Sequence, residues 1–191
     1  MNGISSMATT KILVVRHAEK PDGHGTGGVD PSGQPDPKSL TPRGWQRAGA
    51  LVQLFAPRTA DPQAPLMRPD HLFAARAGHE EDEHSKRPYQ TIEPLAAYLQ
   101  ISGGIDSSFR KDELDKLVNA VISCDGTVLI AWEHKNIPPM ARILVPPSEQ
   151  VPDWPDDRYD MIWVFDRVGD VWHLTQVPQR LLAGDIEAVF A

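Results

Sequence analysis

Two stretches of the chain are unbroken runs of aliphatic residues. Lys11-Ile-Leu-Val-Val-Arg16-His17 and Thr127-Val-Leu-Ile-Ala-Trp132 have no polar alternation, which is the pattern of strands buried on both faces of a helix-covered parallel sheet. Each run stops at polar residues, the first in Arg16-His17 and the second at Glu133-His134. A shorter run, Leu72-Phe73-Ala74-Ala75 within His71 to Arg76, predicts another strand. Elsewhere the period changes. Trp45, Ala48, Val52 and Phe55 recur at helical spacing behind Thr41-Pro42, an N-cap with proline in the first turn, and predict a helix over about 41–56. Ile92, Leu95, Ala96 and Leu99 predict a second helix, with Pro94 in its first turn or at a kink. Leu114, Leu117, Val118, Val121 and Ile122 predict a third. Tyr159 to Asp166 and Val171 to Val177 are β-rich and joined through Val168-Gly169-Asp170, which predicts a hairpin.

The order β-α-β-α-α-β-α-β-β implies an α/β fold of three layers, a mostly parallel sheet flanked by helices with an antiparallel edge. Residues 1–10 are small, polar and aperiodic and read as a disordered leader; residues 11–191 read as one domain. Residues 20–40 hold four prolines and five glycines and predict a long loop, either a lid or a surface insertion.

Composition narrows the classes. The 191 residues are 40% hydrophobic and 24% charged, with 19 Lys plus Arg against 26 Asp plus Glu, giving a net charge of −7. That sign disfavours a broad phosphate-backbone footprint, so nucleic acid is not an expected partner. The single cysteine, Cys124, permits neither an internal disulfide nor a multi-thiol zinc site and fits a reducing, cytoplasmic setting. The early apolar run Ile12–Val15 is too short for a membrane span or a signal segment, so no membrane partner is expected.

In open α/β sheets, ligands bind beyond the carboxyl ends of the strands. Arg16, His17 and His134 fall at such ends, so neighbouring strands would bring two imidazoles and a guanidinium to one crevice, an anion site that needs no metal. Arg87, before Pro88, is expected to be extended at a loop-to-helix junction, where its planar fork and the helix N-terminus suit a phosphate. The plain alternative for Arg87 is an exposed arginine. Glu133, Glu19 and Asp112 are candidate proton donors, with Glu133 preferred; orienting an arginine is the rival role for Glu133 or Glu19. His79-Glu-Glu-Asp-Glu-His84 lacks metal-ligand spacing and reads as a solvated acidic loop. Gly23 to Gly28 lacks the lysine and the strand-to-helix context of a phosphate-cradling loop. Trp132, Trp154, Trp163 and Trp172 read as core packing, with an aromatic wall for substrate as the alternative.

Four segments in order carry a family resemblance. Arg16-His17-Ala18-Glu19 resembles the Arg-His-Gly signature of the histidine phosphatase superfamily, the phosphoglycerate mutase-like enzymes. Leu40-Thr41-Pro42-Arg43-Gly44 with Gln46 resembles its first-helix motif, Arg87 with Gln90-Thr91 its second phosphate-binding arginine, and Val128 to His134 its second-histidine strand. The resemblance spans about residues 11–145. Ala18 replaces the usual glycine, an acidic segment lengthens the approach from Arg76 to Ser85, and Lys135 stands where acid-phosphatase relatives place an aspartate.

This resemblance implies a metal-independent enzyme, without a cofactor, acting on a phosphorylated substrate. His17 would attack phosphorus and form a phosphohistidine that water hydrolyses. Arg16, Arg87 and His134 would bind the phosphoryl oxygens and neutralise their charge. The alternatives are a phosphomutase of the same family and a non-catalytic phosphate-binding module.

Overall fold

A computed structural model describes residues 9–23, 25–77 and 85–191. Among the described residues, six strands form one sheet. In chain order the elements are β1 (Lys11–Arg16), α1 (Pro42–Phe55), β2 (His71–Ala74), α2 (Arg87–Leu99), β3 (Ile105–Asp106), α3 (Leu114–Ile122), β4 (Thr127–Trp132), α4 (Ile137–Leu144), β5 (Met161–Val168) and β6 (Val171–Pro178). The strand order is β3-β2-β4-β1-β5-β6. The first four strands run parallel, and β5 and β6 add an antiparallel edge.

Alternate side chains of the continuous apolar strands feed two cores, as burial on both faces requires. Ile12, Val14, Val128, Ile130 and Trp132 pack with Leu117, Val118 and Val121 of α3 and with Ile137, Met140 and Leu144 of α4. Leu13, Val15, Leu129 and Ala131 pack on the other face with Leu51 and Phe55 of α1 and Ile92 and Leu95 of α2. The three expected layers follow. All four C-terminal tryptophans are buried in the first core, and Trp154 lies 5.2 Å from Trp163 between ring centroids, so packing rather than a substrate wall accounts for them.

Several expectations need correction. Thr9 and Thr10 belong to the fold rather than to a leader: the Thr9 hydroxyl donates to the Val121 carbonyl at 2.7 Å, and the Thr10 amide to Gly126 at 3.2 Å. The rest of that leader, and the acidic run of residues 79–84, lie outside the described residues. Helix α2 starts at Arg87, five residues before the first apolar marker, and holds Pro94 in its interior. The dipeptide β3 was not foreseen, being too short to carry a pattern. Within the 20–40 loop, Val29 pairs with Pro35 in an antiparallel bridge, and the Lys38 carbonyl accepts from the Lys86 amide at 3.2 Å. The end of this loop is therefore anchored to the start of α2.

The buried stripe of α1 is also rotated from the one expected, running through Gly44, Arg47, Ala48, Leu51 and Phe55, while Trp45 and Val52 are half-buried. A charge sits in that stripe because it is fully partnered. The Arg47 guanidinium donates to Glu19, to Gln179 at 2.8 Å and to Asp185 at 2.7 Å. Asp185 also accepts the Leu181 and Leu182 amides, so this network ties the C-terminal segment to α1 and to the loop after β1. Removing one member of a buried charge network leaves the others uncompensated. Asp185→Ala should lower unfolding stability in urea by about 2–4 kcal/mol, tempered because Arg47 keeps Glu19. Glu187→Ala, at an exposed ion pair with Arg180, should cost less than about 0.5 kcal/mol. Equal effects would remove this role from Asp185.

Candidate active site

β1 and β4 are adjacent and in register from Lys11 opposite Thr127 to Arg16 opposite Trp132. The His17 amide extends the ladder by donating to the Trp132 carbonyl at 2.9 Å. One residue beyond β1 and two beyond β4, His17 and the 3₁₀ turn His134–Asn136 leave the sheet at the same end.

The other motif positions become mechanical parts once the chain is folded. The Ala18 amide donates to the Thr91 hydroxyl at 2.8 Å, which in turn donates to the Arg87 carbonyl at 2.7 Å. Gln90 accepts from the Leu40 amide at 3.0 Å and donates to the Ser39 hydroxyl at 2.8 Å. Thr41 caps α1 by accepting from the Gly44 amide at 3.1 Å. Gly44 cannot carry a side chain, because a Cβ there would stand 2.7 Å from the Glu19 carbonyl oxygen. These contacts join the end of β1, the end of the 20–40 loop and the start of α2 into one frame.

His17 is almost wholly buried at 5% exposure. Its Nδ1 lies 2.8 Å from the Ala18 carbonyl oxygen, which places the proton of the neutral ring on Nδ1 and leaves the Nε2 lone pair free. Burial pushes the His17 pKa down to about 3, and Arg16, Arg87 and His134 add to the shift by repelling an imidazolium. His17 is therefore neutral at any ordinary pH.

Arg16 is 1% exposed and is not among the residues that line the cavity containing His17. Its Nη1 donates to the carbonyls of Asp156 at 2.7 Å and Arg158 at 2.9 Å, and its guanidinium carbon stands 3.9 Å from the centre of the Tyr159 ring. The Nε and Nη2 atoms are buried without a hydrogen-bond partner. Arg87 is the first residue of α2 rather than an extended residue before it, because Pro88 tolerates the first helical turn. Its Nε donates to the Ser39 carbonyl at 3.2 Å and its Nη2 to Pro37 at 2.6 Å. His134 contacts Asp156 through Nε2, while its buried Nδ1 has no partner. Burial and then Arg16 hold the His134 pKa below its ordinary value, against the opposing pull of Asp156.

His17, Arg87, His134 and Glu133 line one cavity of about 180 Å³, joined by Lys20, Arg76, Ser85 and Lys111. Roomier hollows of about 790 Å³ along the β2–β3 edge and about 600 Å³ beside Tyr159 do not include His17. Of the three acid candidates, Glu133 alone lines the His17 cavity, where it accepts from the Asn136 amide group at 3.3 Å and pairs with Lys111 at 3.5 Å. Glu19 is committed to Arg43 and Arg47, and Asp112 is an exposed partner of Arg110. Sequence reasoning missed Lys20, Arg76 and Lys111, which belong to no motif, and the contacts of Asp156 and Tyr159 with His134 and Arg16. The proline-rich stretch before β5 gives no periodicity from which those last two contacts could be read.

The His17 pKa has a consequence for stability. Unfolded His17 takes up a proton near the ordinary histidine value of 6.5, whereas the folded residue does so only near 3, so between these values the unfolded state binds more protons and stability falls as pH falls. His17→Gln should reduce the slope of stability against pH between about 4 and 6 by up to one proton, about 1.4 kcal/mol per pH unit. Urea melts at several pH values check this. An unchanged slope would show that His17 ionises freely in the fold.

No family model matches the chain, and no curated protein sequence matches it. Solved structures do. The protein histidine phosphatase SixA complexed with tungstate aligns at TM-score 0.57 with 11% identity, over 88% of this chain and 97% of that one. The alpha-ribazole phosphatase from Shigella flexneri aligns at TM-score 0.55 with 11% identity, over 92% and 100%. Together with the strand order and the flanking helices, these alignments show that the chain has the phosphoglycerate mutase-like α/β fold of the histidine phosphatases.

Proposed function

We propose that this protein is a phosphatase that hydrolyses a phosphomonoester through a phosphohistidine on His17. The observation that carries the reading is a neutral, buried imidazole with a free Nε2 that lines one cavity with Arg87 and His134, next in the chain to Arg16, whose buried Nε and Nη2 lack an acceptor. A tetrahedral oxyanion would satisfy those donors, and its phosphorus would then face Nε2.

In the first step the Nε2 lone pair forms a bond to phosphorus while the bond from phosphorus to the ester oxygen breaks. Glu133, the carboxyl group lining the cavity, gives the departing oxygen its proton. In the second step a water oxygen bonds to phosphorus, its proton passes to Glu133, and the P–N bond breaks to restore His17. Arg16 and Arg87 hold the equatorial oxygens through fixed donors, so little reorganisation accompanies the change of charge. His134 acts with them: a bound dianion favours its protonated form, and Nδ1 then becomes a donor toward the phosphoryl group. The protein's own cations supply the charge that Mg²⁺ supplies in other phosphoryl-transfer enzymes, so the proposed route needs no metal. Among the described residues no helix is long and apolar enough to cross a membrane, and the proposed setting is the cytoplasm.

An aryl phosphate should be hydrolysed in the presence of a chelator, and His17→Ala should fall to background. Turnover that survives His17→Ala, or that disappears with chelator, would overturn the reading. Arg87→Ala should weaken vanadate inhibition by roughly 10- to 100-fold, the worth of one charged hydrogen-bonding partner. Glu133→Gln should slow alkyl phosphates much more than aryl phosphates, since a poor leaving group depends more on the acid; equal slowing would remove Glu133 from that role.

A further inference from the structure

Asp156 touches two members of the proposed cradle at once. Its backbone carbonyl accepts from Arg16 Nη1 at 2.7 Å, and its side-chain Oδ1 meets Nε2 of His134. The two side chains of this second contact are unlike in setting, since that of Asp156 is 83% exposed and that of His134 only 5%. A buried ring is thus held from the solvent side by one charged group.

That contact fixes the place of a proton. The hydrogen bond from His134, ahead of every other cause, holds the Asp156 carboxyl below its ordinary pKa, so near neutral pH it is ionised and can only accept. The neutral His134 ring then has to donate, which puts its proton on Nε2 and leaves a lone pair on Nδ1. Nδ1 is buried without a partner. His17 has the reverse arrangement, with the proton on Nδ1 against the Ala18 carbonyl. A bare lone pair repels an anion, and Nδ1 can hold one only when it too carries a proton. Burial, and then Arg16, work against that protonation in the free protein.

The charges around the ring are mixed. Across the His17 cavity stand His17, Lys20, Arg76, Arg87 and Lys111 with Glu133, and a hollow of about 250 Å³ on which His134 also borders adds Lys135 and Arg142 with Asp153. Beyond Asp156, the hollow beside Tyr159 holds Lys20 and Arg43 with Glu19, Asp22 and Asp157. The tautomer does not depend on their sum, because among the described residues Asp156 is the group that hydrogen-bonds the His134 ring.

Building on the proposed phosphoryl cradle, we infer that Asp156 is a positioning residue that makes anion binding by His134 conditional on proton uptake: its carboxylate occupies Nε2, so Nδ1 can donate to a phosphoryl oxygen only in the doubly protonated ring, whose charge the same carboxylate balances. The proton comes from solvent as the anion binds and returns to it as the anion leaves. Because binding takes up a proton, affinity falls as pH rises above the range where the free ring titrates.

Inorganic tungstate is the probe, a tetrahedral dianion at and above neutral pH with no proton of its own to confuse the count. The ¹⁵N resonances of the His134 ring in the full chain, assigned by their loss in His134→Gln, report which nitrogen is protonated. Calorimetry at about pH 8 in two buffers of different ionisation enthalpy counts the protons taken up. In the unaltered protein the free ring should carry its proton on Nε2, and tungstate should protonate both nitrogens with uptake of about one proton, so that affinity falls by up to about tenfold per pH unit. In Asp156→Ala, which keeps the backbone carbonyl on Arg16, the free ring should lose its preference for Nε2, uptake should drop below about half a proton, and the slope should flatten to less than about threefold per unit. Asp156→Glu should restore both the tautomer and the uptake. A proton on Nδ1 of the free unaltered protein, tungstate binding without proton uptake, or a tautomer and uptake that Asp156→Ala leaves unchanged overturns this inference while leaving the cradle intact. Failure of tungstate to bind the unaltered protein overturns both.

Discussion

A guanidinium buried to 1% exposure with two of its nitrogens unpartnered is a costly thing to fold around, since each desolvated donor without an acceptor forfeits the hydrogen bond it had in water. Arg16 is nonetheless fixed from one side. Its Nη1 is spent on backbone carbonyls of the segment before β5, and its flat face rests on Tyr159. What is left, Nε and Nη2, is rigid, charged and sheltered from competing water. Burial above all, and then Arg16, Arg87 and His134, keep His17 neutral by disfavouring an imidazolium.

The fold meets that cost with ordinary backbone pairing. Parallel register between β1 and β4 fixes Arg16 opposite Trp132, so the residues that follow diverge from a common edge. Arg87 is brought in from a third element by short links, the Ala18 amide to Thr91 and Thr91 to the Arg87 carbonyl. The buried network of Arg47, Glu19 and Asp185 stands directly behind the loop that follows His17. Its polar groups are partnered, in contrast to Nε and Nη2 of Arg16 and Nδ1 of His134, which are buried without a partner.

The two continuous apolar runs, ending at Arg16-His17 and Glu133-His134, were legible because a fully buried strand has no room for polar residues and its end is abrupt. The hairpin of β5 and β6 and the cap at Thr41 were legible for similar local reasons. Arg47 was not, since a charge in a helical stripe counts as polar until its partners, more than a hundred residues away at Gln179 and Asp185, are known. The start of α2 was obscured because Pro88 and Pro94 read as helix breakers, although the first sits where its missing amide costs nothing. Lys20, Arg76 and Lys111 lie in no pattern, and only the meeting of three separate strand ends and loops gives them a common cavity.

The chain's net charge of −7 coexists with a cavity lined, among the described residues, by Lys20, Arg76, Arg87 and Lys111 against Glu133. The central claim is that His17 itself carries the phosphoryl group between the two steps. It is tested most directly by quenching the protein with a phosphorus-labelled substrate under alkaline denaturing conditions and locating the label. The expected result is an acid-labile, base-stable phosphoryl group on Nε2 of His17; label on any other side chain, or steady turnover with none trapped and none lost on His17→Ala, would contradict it.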